Sequence, residues 1–106
     1  MKNLKEAVHD SALLQADNAF IIGEAVYIQT VTYHLTGRII GIKQQGDVTF
    51  LLLDEAAWQA ISARWTQTID EGQLDECEPV SGIVRVSINA IVLVYEWRHP
   101  LPRQQK

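Results

Sequence analysis

The sequence predicts a mainly β domain with two helices: five strands curled into one small barrel, a helix ahead of them, and a helix inserted between the third and fourth strands. Three observations carry this. β-branched residues alternate from Val26 onward, and the next apolar stretch holds Gly37 and Gly41, which suits a strand that bends. Gln44-Gln45-Gly46-Asp47 then has the residues of a tight hairpin turn. Residues 83–88 and 90–97 read as a closely connected strand pair, broken near Asn89.

Each element follows in order. Asn3 and Glu6 fit a capping box, and Leu4, Val8 and Ala12 recur at one-turn spacing, so a helix is expected to end near Asp17. Strands are expected over 26–31, 35–43 and 48–53; the last is apolar on both faces and therefore covered on both sides. Asp54 fits a helix N-cap, and Trp58, Ile61, Trp65 and Ile69 share one helical face, which places a helix over residues 55–70 with Gly72 as its C-cap. Residues 73–82 read as an acidic loop. Five bent strands in so short a span suit an SH3-like barrel better than an open sheet.

The chain has 106 residues, enough for one domain. Residues 1–19 are its helical segment, 20–97 the barrel, and 98–106 an extended tail held straight by Pro100 and Pro102. The net charge of −4 supplies no global attraction to nucleic acid or anionic lipid, so either would need a local basic patch. Cys77 is the single cysteine, which excludes an intrachain disulfide and a cysteine-based zinc site. No stretch reaches the roughly 18 apolar residues of a membrane span. Residues 1–10 lack the pattern of a secretion signal, and the expected location is the cytoplasm.

Motifs for chemistry are sparse. Gly41 and Gly46 have the spacing that opens a phosphate loop, but Asp47-Val48 stand where lysine and a hydroxyl are needed. Asp70, Glu71, Asp75, Glu76 and Glu78 lack the alternating ligand order of a calcium loop, and among them Cys77 is a poor nucleophile. His9, His34 and His99 fall in no metal-ligand spacing, and no serine elbow exists. No metal, cofactor or catalytic residue is assigned. The three tryptophans suit a core or subunit interface, or else a stacking platform for bases.

Residues 37–54, GRIIGIKQQGDVTFLLLD, resemble the first motif of Sm-like proteins, in which a glycine-bent strand and a turn lead into an apolar strand ending in an acid. Residues 84–95, VRVSINAIVLVY, look like the second motif, with Ser87-Ile88-Asn89 where that family carries an Arg-Gly step. The resemblance implies a small SH3-like barrel, cyclic rings formed by pairing the last two strands of neighbouring copies, and in many members RNA bound at the pore. A second resemblance covers most of the chain after Phe20, through TVTYHLTGRIIG, LLLDEAAW, DECEP and WRHPLPRQQK. These stretches are similar to small proteins of tailed phages and prophages, which implies a phage or mobile-DNA context.

The expected function is a non-enzymatic, ring-forming binding or assembly module. The strand over 90–97 is apolar on both faces and would aggregate if left uncovered, so Ile91, Val92, Val94 and Trp97 are its candidate interface residues. The alternative is a protein that binds RNA or single-stranded nucleic acid, using Arg38, Lys43, Gln44 and Gln45 around the hairpin turn.

Overall fold

The structure, a computed structural model, describes residues 20–60, 64–74 and 76–105. The helix expected within residues 1–19 lies outside them. Six strands form one antiparallel sheet: β1 (Ala25–Thr30), β2 (His34–Gln45), β3 (Val48–Ala60), β4 (Glu76–Pro79), β5 (Val84–Ser87) and β6 (Ile91–Glu96). Among the described residues one short α-helix, α1 (Trp65–Ile69), stands between β3 and β4. The order is β4-β3-β2-β1-β6, with β5 also on β3. The two ends of this path do not pair, so the sheet is open where a closed barrel was expected.

The hairpin forms as its turn residues dictate. Gln45 faces Val48, and Gly46 takes a φ of +61°, a conformation that costs glycine little. The break near Asn89 is a short 3₁₀ turn, Ile88–Ala90, between β5 and β6. Gly37 packs close against the neighbouring strand, since a Cβ there would lie 3.2 Å from the Cβ of Leu53.

Asp54 and Glu55 begin no helix. Arg38 pairs with Asp54 and Thr36 with Ala57, so β3 carries one more residue than β2 across this stretch, a β-bulge. Glu55 sits at its apex with a φ of +51°. Its N–H donates to Asp54 Oδ1 at 2.9 Å, and its carboxylate accepts from Arg38 Nε at 2.9 Å. The extra residue reverses the facing of everything after it. Leu51 and Leu53 point into the core before the bulge, and Ala56 after it. The Asp54 cap and the spacing of Trp58, Ile61, Trp65 and Ile69 make residues 55–60 read as helical in the sequence, whereas they continue β3 beyond the bulge. Trp58 and Trp65 therefore share no helical stripe; they belong to different elements.

The acidic segment is also more ordered than expected. Glu76, Cys77 and Glu78 alternate exposed, buried, exposed, and they pair with Ala60, Gln59 and Trp58 as β4. β5 takes residues 50–53 of β3 and β4 takes residues 57–60, so the bulge divides one edge between two partners.

Both faces of the sheet bury side chains, but Val48, Phe50 and Leu52 of β3 are only partly covered, so this strand is not enclosed on both sides as expected. On one face, Val26, Ile28, Leu35, Ile39, Leu51 and Leu53 are buried with Ala56 and Val86 in a single aliphatic cluster. Each large side chain contributes on the order of 1.5–3 kcal/mol by leaving water. On the other, Tyr27, Thr36, Gln59 and Cys77 are buried beside α1 and the C-terminal segment. Trp65 of α1 meets the rings of Tyr27, His34 and Tyr95 at centroid distances of 5.6, 5.5 and 5.1 Å. The helix ends at Gly72, whose N–H bonds the Thr68 carbonyl at a φ of +74°, the left-handed cap expected there.

Residues 98–105 form no helix or strand, yet their side chains reach back to the body. His99 Nε2 donates to the Ile69 carbonyl at 2.8 Å, and the Arg103 guanidinium donates to the carbonyls of Ala56 at 3.0 Å and Val80 at 3.3 Å. Trp97, 4% exposed, donates from Nε1 to the Pro100 carbonyl.

Candidate functional site

The hairpin and β5 build a basic hollow of about 460 Å³. Register explains its composition. Lys43 faces Phe50, which faces Ser87; one step on, Gly41 faces Leu52, which faces Arg85. Because Leu51 points into the core, Phe50 and Leu52 turn to the other face and form an apolar floor. Gly41 has no side chain to cover Leu52, and the long side chains of Lys43 and Arg85 rise on either side. Gln44, Gln45 and Ile83 complete the lining; among the described residues no carboxylate enters it. Two cations over an aromatic and apolar floor can hold an anion whose other part is flat and uncharged.

Three of the four residues expected to meet nucleic acid, Lys43, Gln44 and Gln45, come together here. Arg38 does not. Its guanidinium is occupied at the bulge by Glu55 and by the Gly23 carbonyl at 2.9 Å. Phe50 and Arg85 complete the hollow and were missed. The hairpin register, counted back from Gln45 and Val48, sets Phe50 opposite Lys43 and was available from the turn; the docking of Arg85 on β3 was not.

The residues expected at a subunit interface divide differently. Ile91 and Val94 pack against the chain's own core, and Trp97 is buried against Tyr27 and Pro100. Val92 is 53% exposed because the β1–β6 pairing skips it between Gln29 and Thr30, and Leu93 beside it is 45% exposed. Among the described residues β6 pairs only with β1, and β5 only with β3, so each presents an outer edge that none of them covers.

A tyrosine and a histidine meet in a half-buried contact. Tyr27 Oη lies 3.0 Å from His34 Nδ1. Burial raises the phenol beyond the ordinary tyrosine range and lowers the imidazole below its own, so both are neutral near pH 7. The phenol has no other acceptor among the described residues and donates to Nδ1, which leaves the ring proton on Nε2. Trp65 stacks on this ring at 10°. No serine, cysteine or carboxylate stands beside the pair as a nucleophile or orienting group among the contacts of the described residues, and its geometry is that of a packing contact.

Among the described residues no three His, Cys, Asp or Glu side chains converge, and no helix is long and apolar enough to cross a membrane. Comparison with protein-family models, with curated proteins and with solved structures finds no match to this chain.

Proposed function

We propose that this chain is a non-enzymatic, ring-forming binding module of the Sm-like kind, in which the β5 edge of one copy pairs with the β6 edge of the next. The observation that carries the reading is the pair of open edges. β5 and β6 are joined by one 3₁₀ turn, neither has an outer partner among the described residues, and Ile83, Val92 and Leu93 beside them leave 51%, 53% and 45% of their surface in water. An open edge flanked by large apolar side chains is a template for another strand. The order β6-β1-β2-β3-β5, with β4 as an addition, supports an opened small barrel of the SH3-like type. The resemblance to tailed-phage proteins adds a phage-borne assembly context to this reading.

Native mass spectrometry of the purified protein tests it. A closed oligomer is expected, and Val92→Lys and Leu93→Lys are each expected to reduce it to monomer, because a buried lysine without a partner opposes pairing. Val94 is unsuitable for this purpose, since it packs against the core. A monomeric wild-type chain would sink the proposal.

The basic hollow favours a second activity for the same module, binding of single-stranded nucleic acid. Lys43 and Arg85 would neutralise phosphates while a base stacks on Phe50. Two such contacts give a log–log salt dependence of about −1.4 for a single strand, and Arg85→Gln should reduce it by about 0.7. Absence of binding to labelled RNA and DNA at low salt would remove this activity and leave the ring untouched.

A further inference from the structure

α1 and β4 lie outside the order β6-β1-β2-β3-β5, and side chains of the C-terminal segment hold them in place. α1 has five residues, too few to persist by itself, and β4 offers β3 only four. His99 Nε2 donates to the Ile69 carbonyl at the end of α1, and its ring lies so close to Gly72 that a Cβ there would be 2.7 Å away. Arg103 donates to the carbonyls of Ala56 in β3 and Val80 just past β4. The Ala56 carbonyl also accepts from the Val80 N–H at 2.8 Å, so the guanidinium covers the bond that closes this strand pair. Gln105 reaches Glu78 at 3.4 Å. Among the described residues, 98–105 form no strand and make no backbone–backbone hydrogen bond with the sheet. Each tie is a side-chain bond of modest net strength, so the segment can leave without breaking a ladder.

The closed position also carries a cost. Gln59 of β3 faces Cys77 of β4 and is 6% exposed. Its amide nitrogen is used on Thr36 Oγ1 at 2.9 Å and Cys77 Sγ at 3.4 Å, while Oε1 has no partner. A buried carbonyl left without a donor is costly, and water reaches it only when β4 leaves β3. That cost sits at the four-residue pairing which the strap side chains hold shut, and it favours opening there over opening in the aliphatic layer.

We propose that residues 98–105 are a releasable strap, and that α1 and β4 open from the sheet as one unit when it lets go. Opening leaves β1, β2, β3, β5 and β6 paired and brings Gln59 and Cys77 to water. Trp65 leaves the rings of Tyr27, His34 and Tyr95 in the same step, because α1 and β4 are joined by a short connection through Gly72. The proposal is independent of ring formation, because its contacts lie on α1, β4 and the C-terminal segment and the proposed ring contacts on β5 and β6.

Cys77, 2% exposed and the only cysteine of the chain, reports the opening. Its rate of labelling by a maleimide is measured on the full chain in native buffer, beside hydrogen exchange at the amides of β1 and β2. The thiol is expected to label through an opening more frequent than the one that exposes those amides. Arg103→Met keeps the stem and loses the donors, and should speed labelling about tenfold. His99→Leu keeps an apolar group against Trp97 and loses the bond to α1; it should speed labelling about threefold, although that bond is not to β4. In both variants circular dichroism and the exchange of β1 and β2 should stay as in the wild type. Labelling that tracks the β1 and β2 amides throughout would mean that Cys77 is reached only by global unfolding, and would overturn the proposal. A rate unchanged by Arg103→Met would overturn the strap, and one unchanged by His99→Leu would overturn the joint opening of α1 and β4.

Discussion

The two faces of the sheet are buried by different means. On one, Ile28, Leu35, Ile39, Leu51 and Leu53 exclude water with aliphatic surface alone. On the other, Tyr27, His34, Trp65 and Trp97 meet edge to face, stacked or tilted, Trp97 donates to the Pro100 carbonyl, and His99 ties the C-terminal segment to the Ile69 carbonyl of α1. The aliphatic face takes its stability from area, which depends weakly on orientation. The aromatic and polar face depends on partners arriving from distant parts of the chain at set angles. The first kind of face stabilises the fold; the second ties particular segments to it and responds to pH.

The contrast can be broken by mutation. Leu53→Ala removes a fully buried side chain from the centre of the aliphatic layer and should cost about 2–5 kcal/mol in urea unfolding. A cost no larger than that of Tyr27→Phe would overturn the ranking of the two faces. Gly72→Ala comes next, at about 1–3 kcal/mol, because φ is +74° and a Cβ there would lie 2.7 Å from the His99 ring. Its thermal midpoint should fall together with loss of the His99 contact, read from the His99 imidazole resonances. Tyr27→Phe removes one hydrogen bond and leaves the ring packing intact, for about 1 kcal/mol.

The smallest effect is on pH. Burial holds the His34 pKa below its unfolded value near 6.5, so below that value the unfolded chain binds the proton more readily. The stability that His34 contributes is fully present above the unfolded pKa and is lost as pH falls through the lower, folded pKa. Urea midpoints measured from neutral to mildly acidic pH should therefore decline more in the wild type than in His34→Gln. Parallel declines would mean that the imidazole is as free in the folded chain as in the unfolded one.

Neighbouring residues settled a good deal of this. The alternation at Val26, Ile28 and Thr30, the Gly46 turn, the pause at Asn89 and the Gly72 cap all appear where local preference places them. Such features depend on φ/ψ sterics and on hydrogen bonds within a few residues, which the order of side chains alone expresses. The candidate sites were legible in part for the same reason: Lys43, Gln44 and Gln45 are neighbours on one hairpin arm. Val92 was legible as apolar, but not as the residue that the β1–β6 register turns outward.

Tertiary structure decided the rest. Asp54 and Glu55 have the local marks of a helix start, and only pairing with both Arg38 and Ala57's partner Thr36 makes them a bulge. The Glu76–Pro79 segment is a polar loop by composition and a strand because β3 offers it an edge beyond that bulge. Arg85 and Phe50, Trp58 and Glu78, and His99 and Ile69 are each brought together by pairing or docking across the chain. Those meetings rest on surface buried between distant segments, a free energy that no short window of sequence contains.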